Sequence, residues 1–239
     1  MTDGQVSGPP AATGLIEADD WRPRRLAAVA IDLPEGVTPA GTKGEILRVS
    51  LRLFSEYGFY GTSVRQIAAE VGVNPATLYA HYPAKEQILA DLVLVGHREL
   101  YGRLSAALAA AGESATSRLA ALARDHALIH CDYPLLALVA NAELHALTQG
   151  TAEEALALRS QCAQMLTSVL ADGQSAGEFS LSDPLITALS ISGLGMHIAH
   201  WFDPGQGHTR VRVARAHVQL VLRMAGAWRA ADDDERAEG

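Results

Sequence analysis

Pro75 and Pro83 stand eight positions apart in "VNPATLYAHYPAKEQIL", residues 73–89 of a 239-residue chain. A proline is tolerated in the first turn of a helix, but it clashes with the carbonyl four residues back anywhere further in. Asn74 followed by Pro75 therefore opens a helix, and Pro83 stops it near Tyr82 after about two turns. Immediately upstream, Val64, Ile67, Ala68 and Val71 share one helical face behind a cap at Thr62 or Ser63, and Gly72 supplies the positive φ of a tight turn. Two short helices joined by a glycine turn make a helix-turn-helix or an ordinary helical hairpin, and spacing alone leaves both readings open. Leu78 and Tyr82 share the inward face of the second helix, leaving Ala76, Thr77, Tyr79 and His81 outward.

The rest of the chain also reads as helical. Apolar residues make up 49% of it, enough for a real core, and no sustained alternation argues for strands. Ile46, Ser50, Leu53, Phe54 and Tyr57 mark a first helix closed by Gly58. Leu89, Val93, Leu100, Leu104 and Leu108 mark a long helix from about Ala84 to Ala110, and five more helical segments follow. Thr151 and Glu154 read as a capping box for a helix with Ala155, Leu158, Cys162, Met165 and Val169 inward. Asp183-Pro184 opens the eighth helix, and Val211, Ala214, Val218, Val221 and Ala225 line the inward face of the last. The expected fold is all-α. Residues 1–41 form a proline- and glycine-rich arm carrying "WRPRR" (Trp21–Arg25), 42–89 a domain holding the two short helices, 90–230 a larger helical domain, and 231–239 an acidic tail.

A net charge of -8 argues against a protein that coats nucleic acid by bulk attraction, although charge is local and a small basic face can coexist with an acidic body. Cys131 and Cys162 lack paired spacing and read as free thiols, and no stretch approaches a membrane span, so a cytoplasmic protein is expected. His126 with His130, and His197 with His200, share helical faces, but no third ligand or H-E-x-x-H pattern accompanies them. No metal and no cofactor are expected. The alternative is a helical enzyme or metal-binding protein using these histidines, although no nucleophile-base pair or G-x-S-x-G elbow is evident. Gly193 and Gly195 inside the eighth helix cost roughly 1 kcal/mol each relative to alanine. Close approach of a partner helix, or room for a ligand, would compensate, and packing is the preferred reading.

From Glu45 to Leu89, the combination of "LFSEYGFYGTSV", "IAAEVGV" and "LYAHYPAKEQIL" resembles the DNA-binding domain of the TetR family of transcriptional regulators. The resemblance implies a dimer binding a palindromic DNA operator, its two half-sites roughly 34 Å apart. It implies phosphate contacts from Thr62, Ser63, Tyr79, His81 and Lys85, and base or backbone contacts from Arg65 and Gln66. Asn74, Ala76 and Thr77 at the start of the recognition helix complete the expected DNA-binding set, and Ala84 sits where the family commonly has a polar cap. In the family, helices eight and nine form the homodimer contact. "NAELHALTQG" and the sequence from Leu158 to "HWFDPGQG" are similar, more loosely, to effector domains that answer to acyl-coenzyme A thioesters. That similarity implies a pocket lined from helices four to eight, with Asn141, His145, Met165 and His197 as ligand contacts, and a repressor released by a small apolar or acyl-coenzyme A-like effector. An activator fits the same residues.

Overall fold

The structure is a computed structural model, and it describes residues 31–227. The arginine-bearing segment Trp21–Arg25 and the acidic tail lie outside those residues. Among the described residues the chain folds into nine α-helices and no strand: α1 (Gly41–Gly61), α2 (Val64–Val71), α3 (Pro75–His81), α4 (Lys85–Ala110), α5 (Ala115–Asp132), α6 (Pro134–Ala142), α7 (Gln149–Ser175), α8 (Pro184–Trp201) and α9 (Arg210–Met224).

Local chemistry sets most of these boundaries. Gly58 has φ 73° and breaks the helical path of α1, which continues only as a last irregular turn. Ser63 and Gln66 form a reciprocal capping box on α2, and Gly72 ends that helix in the left-handed region. Asn74 caps α3 by accepting from the Thr77 amide at 2.8 Å, with Pro75 in the first turn. Asp183 accepts from the Ile186 amide and starts α8 at Pro184. The start of α5 has a tertiary cap as well, because Glu178 accepts from the amides of Ala115 and Thr116 and from the Thr116 hydroxyl. Those bonds stabilise the ionised form and lower the Glu178 pKa.

The cap expected at Thr151 is corrected: α7 begins at Gln149, and Thr148 is its N-cap, accepting from the Thr151 amide. Thr151 instead donates its hydroxyl to Glu86 of α4, while Glu154 pairs with Arg98. The sequence "TQGTAEE" offers two threonines three apart, and the tertiary bond to Glu86 selects the earlier register for the cap. Two expected inward residues also face outward, Tyr57 on α1 and Val211 on α9, the second replaced in the core by Val213.

Ile46, Leu47, Leu51 and Phe54 of α1 pack with Ile67, Leu78, Tyr82 and the first half of α4 into one core that extends to Leu135, Leu136 and Val139 of α6. A second core joins the far half of α4 to α5, α7, α8 and α9 through residues such as Leu119, Leu170, Ile191 and Val221. The division expected after Leu89 falls inside α4, which runs unbroken between the two cores. At one end α4 and α6 both contact α1, and at the other they border the interior of the larger domain.

Candidate DNA-reading surface and effector cavity

Leu78 and Tyr82 are buried, as their spacing requires, and hold α3 against α1, α2 and α4. The Tyr82 hydroxyl donates to Asp91 at 2.9 Å, so its polar tip is satisfied in the core. Burial is the main cause of its raised pKa, with the Asp91 charge and hydrogen bond adding to it. Asn74, Ala76, Tyr79 and His81 are exposed along α3, Thr77 is half-buried, and Tyr79 keeps 50% of its surface. Ser63, Arg65 and Gln66 are exposed on α2, and Arg65 makes no ion pair among the described residues. The Gln66 side-chain oxygen is engaged with the Ser63 amide, which leaves its NH₂ group outward.

Two members of the expected DNA-binding set serve the fold instead of, or as well as, a surface. Thr62 is 2% exposed, and its hydroxyl lies against the Gly58 and Leu53 carbonyls at 2.9 and 3.2 Å. Its side chain is therefore turned away from any phosphate, because the break at Gly58 leaves carbonyls that need a donor. Lys85 donates to the Phe59 and Thr62 carbonyls at 2.5 and 2.6 Å, and its ammonium sits over the Phe59 ring. One of its three protons remains for an outside partner. Burial is the chief influence on its pKa and lowers it.

The larger domain holds a half-open cavity of about 250 Å³ walled by α4, α5, α6, α7 and α8. Leu100, Leu104, Leu119, Leu122, Leu136 and Leu166 supply much of an apolar lining. Of the four expected contacts, Asn141 alone borders it. Met165 faces the second core, with its neighbour Leu166 taking the wall. His197 is exposed and stacked on His200, with Met196 on the wall in its place. His145 lies exposed in a 3₁₀ turn, its ring 6.3 Å from that of Tyr60. Each of the first two misses is one residue, about 100° of helix rotation.

The wall contains polar groups beyond the four expected contacts. Arg159 of α7 meets Asn141 at 3.4 Å and has no carboxylate partner among the described residues. His97 of α4 is 7% exposed, and its Nδ1 donates to the Val93 carbonyl at 2.8 Å. Burial first, and the Arg159 charge as well, hold its pKa down. His126 and His130 of α5 also border the space, their rings 4.6 Å apart. Both residues carried a signal in the sequence, since Arg159 lies three before inward-facing Cys162 and His97 four after Val93.

The same α5 face explains one of the two glycines in α8. A side chain at Gly195 would overlap the His126 ring, so this glycine serves contact within the chain, where the expectation was a partner helix or a ligand. Around Gly193 there is open space. Leu185, Ile186, Leu189 and Leu194 of α8, with Val211, Leu220 and Met224 of α9, leave much apolar surface uncovered. Among the described residues, no group of three His, Cys, Asp or Glu side chains is placed to hold a metal ion, and no helix is long and apolar enough to cross a membrane. Cys131 and Cys162 are buried free thiols, and burial pushes their pKa values up to about 12 and about 11.

Comparison with known proteins agrees with this architecture. A repressor named KstR2 from Rhodococcus jostii (strain RHA1) is 23% identical over 184 residues, covering 77% of this chain and 90% of its own. A crystal structure of a tetR-family regulatory protein from Rhodococcus RHA1 superposes with a TM-score of 0.73 at 26% identity, covering 78% of this chain and 98% of that one. The structure of AibR in complex with isovaleryl coenzyme A and operator DNA gives a TM-score of 0.67 at 25% identity, covering 73% and 95%. The model for bacterial regulatory proteins of the tetR family matches residues 46–92, and that for the tetracyclin repressor-like C-terminal domain matches residues 112–225. The two family models together cover most of the described chain, and the chain belongs to the TetR family of transcriptional regulators.

Proposed function

We propose that this regulator is a cytoplasmic repressor that binds a palindromic operator as a homodimer and is released by a ligand with an apolar body and an anionic head, such as an acyl-coenzyme A thioester. The observation that carries the reading is an apolar cavity with Arg159, a cation lacking a carboxylate partner among the described residues, in its wall. At about 250 Å³ the cavity is smaller than the roughly 300–1,000 Å³ of common ligand clefts, which suits an acyl group with the rest of the ligand outside. Arg159 and Asn141 would receive a phosphate or carboxylate, and the apolar lining the chain. AibR, a structural relative, has been crystallised with isovaleryl coenzyme A and operator DNA, which supports the class of ligand.

The operator would be met by Ser63, Arg65, Gln66, Asn74, Ala76, Thr77, Tyr79 and His81, with Lys85 contributing the proton its internal bonds leave free. The uncovered apolar faces of α8 and α9 support a dimer through those helices. One hydrogen bond beyond α6 supports a route for release. Glu143, just beyond α6, accepts from the Phe59 amide at 3.1 Å, so a ligand that moves α6 pulls on the turn to which Lys85 and Thr62 are tied. A ligand can shift the dimer from DNA only by its differential affinity for the two states.

The experiment is a gel shift on DNA upstream of the protein's own gene, repeated with a series of acyl-coenzyme A thioesters. A retarded complex is expected, with at least one thioester lowering the affinity by about tenfold or more, within the usual range of allosteric coupling. No complex on any candidate operator contradicts the reading.

A further inference from the structure

We propose that the α5 side of this cavity is a recognition site for an uncharged hydroxyl group on the apolar body of the ligand, held by His126 and His130. The proposal deepens, and rests on, the reading of the cavity as the effector site.

His126 lies deep in the fold yet keeps accessible ring surface, and that surface borders the cavity. Neither of its ring nitrogens has a hydrogen-bond partner among the described residues, and neither is fully buried, so both are left to water or a ligand. Gly195 is the residue that makes room for this ring, so α8 is shaped around a polar group that nothing among the described residues satisfies. Burial, then the neighbouring His130 and His217, keeps its pKa well below the ordinary value, and the ring is neutral. A neutral imidazole carries one donor and one acceptor.

His130 fixes the other half of the chemistry. Its Nδ1 lies 2.7 Å from the His126 carbonyl, which can only accept, so the proton is on Nδ1 and the lone pair on Nε2. Burial lowers its pKa also. The pair therefore presents an acceptor on His130 beside an adaptable ring on His126. A hydroxyl both donates and accepts, and it can satisfy the two rings together. A carbonyl only accepts and would face the His130 lone pair; a carboxylate would meet two uncharged rings and lose its hydration.

The test uses the full chain with isotope-labelled histidine, titrated with cyclohexanol and with cyclohexanone, which share size and ring and differ in the donor. Cyclohexanol is expected to bind about fivefold more tightly or better, the worth of one net neutral hydrogen bond. It should also shift the imidazole nitrogen signals of His126 and His130, and His130→Leu, which removes the fixed acceptor and leaves His126 able to donate to either probe, should bring the two affinities to within about twofold. Equal affinities in the unaltered protein, unmoved imidazole signals, or no binding of either probe overturns the proposal. Thioester-driven release from DNA combined with equal probe affinities would remove the hydroxyl site and leave the effector reading standing. Preference for the alcohol without any thioester release would do the reverse.

Discussion

Gly195→Ala lowers stability by about 1–2 kcal/mol, whereas Gly102→Ala raises it. An added methyl at Gly195 overlaps the His126 ring, and overpacking of this kind costs typically 1–3 kcal/mol. Replacing a mid-helix glycine with alanine returns up to about 1 kcal/mol of helix propensity, which leaves a net loss. The ring borders the cavity, so displacing it also alters that space. Gly102 lies in the interior of α4 with nothing within 4 Å of an added Cβ, and there the propensity gain stands alone. Thermal unfolding of both variants checks the pair. Equal and favourable responses would show that His126 does not occupy the place assigned to it.

Stability falls as pH drops from about 6.5 toward 4, because of the buried imidazoles. His126, His130 and His217 all have folded-state pKa values below the ordinary value, with desolvation the first cause for each and neighbouring histidines the next acidifying influence. A depressed pKa means the unfolded chain binds more protons, so the contribution is complete above the unfolded value of about 6.5 and is lost as pH falls through the folded one. For His217, whose folded value is pushed down to about 4, the loss alone is about 3 kcal/mol. Its Nε2 is buried without a partner, so protonation there finds no compensating acceptor. Glu86 and Glu178 are also lowered, but from 4.5, so they act only below the window in which the histidines begin to charge. Denaturant unfolding at intervals from pH 7 to pH 4.5 reads the effect directly. A flat profile over that range would rule out neutral buried histidines.

The reader domain was legible because short-range chemistry specifies it. Pro75, Pro83, Gly72 and the Ser63–Gln66 pair define helix ends within a few residues, and Leu78 and Tyr82 follow from i,i+4 spacing. What spacing could not reveal was tertiary capture of polar side chains. Thr62 turned inward and Lys85 was tied to two carbonyls because Gly58 breaks α1 beside them. The effector domain was less legible for a different reason. Helix α8 is apolar nearly all round, with Leu185, Ile186 and Leu189 exposed while Ile191 and Ile198 are buried, so periodicity does not identify the cavity face. His197 and Met165 were each one position from the wall, and Arg159 and His97 were passed over although they follow the spacing of buried neighbours.

The central claim is that the exposed face of α3 reads DNA. Fluorescence anisotropy of a labelled palindromic operator, titrated with the unaltered protein and with Tyr79→Ala across a range of salt, tests it most directly. Tyr79 is the cleaner probe than Lys85, since it is half exposed and anchors nothing inside, whereas losing Lys85 would also free the Phe59 and Thr62 carbonyls. Affinity is expected to fall by about tenfold, in the range of 1–3 kcal/mol for a lost specific contact, with the unfolding midpoint unchanged. Undiminished affinity at every salt concentration would contradict the assignment of α3 as the reading helix.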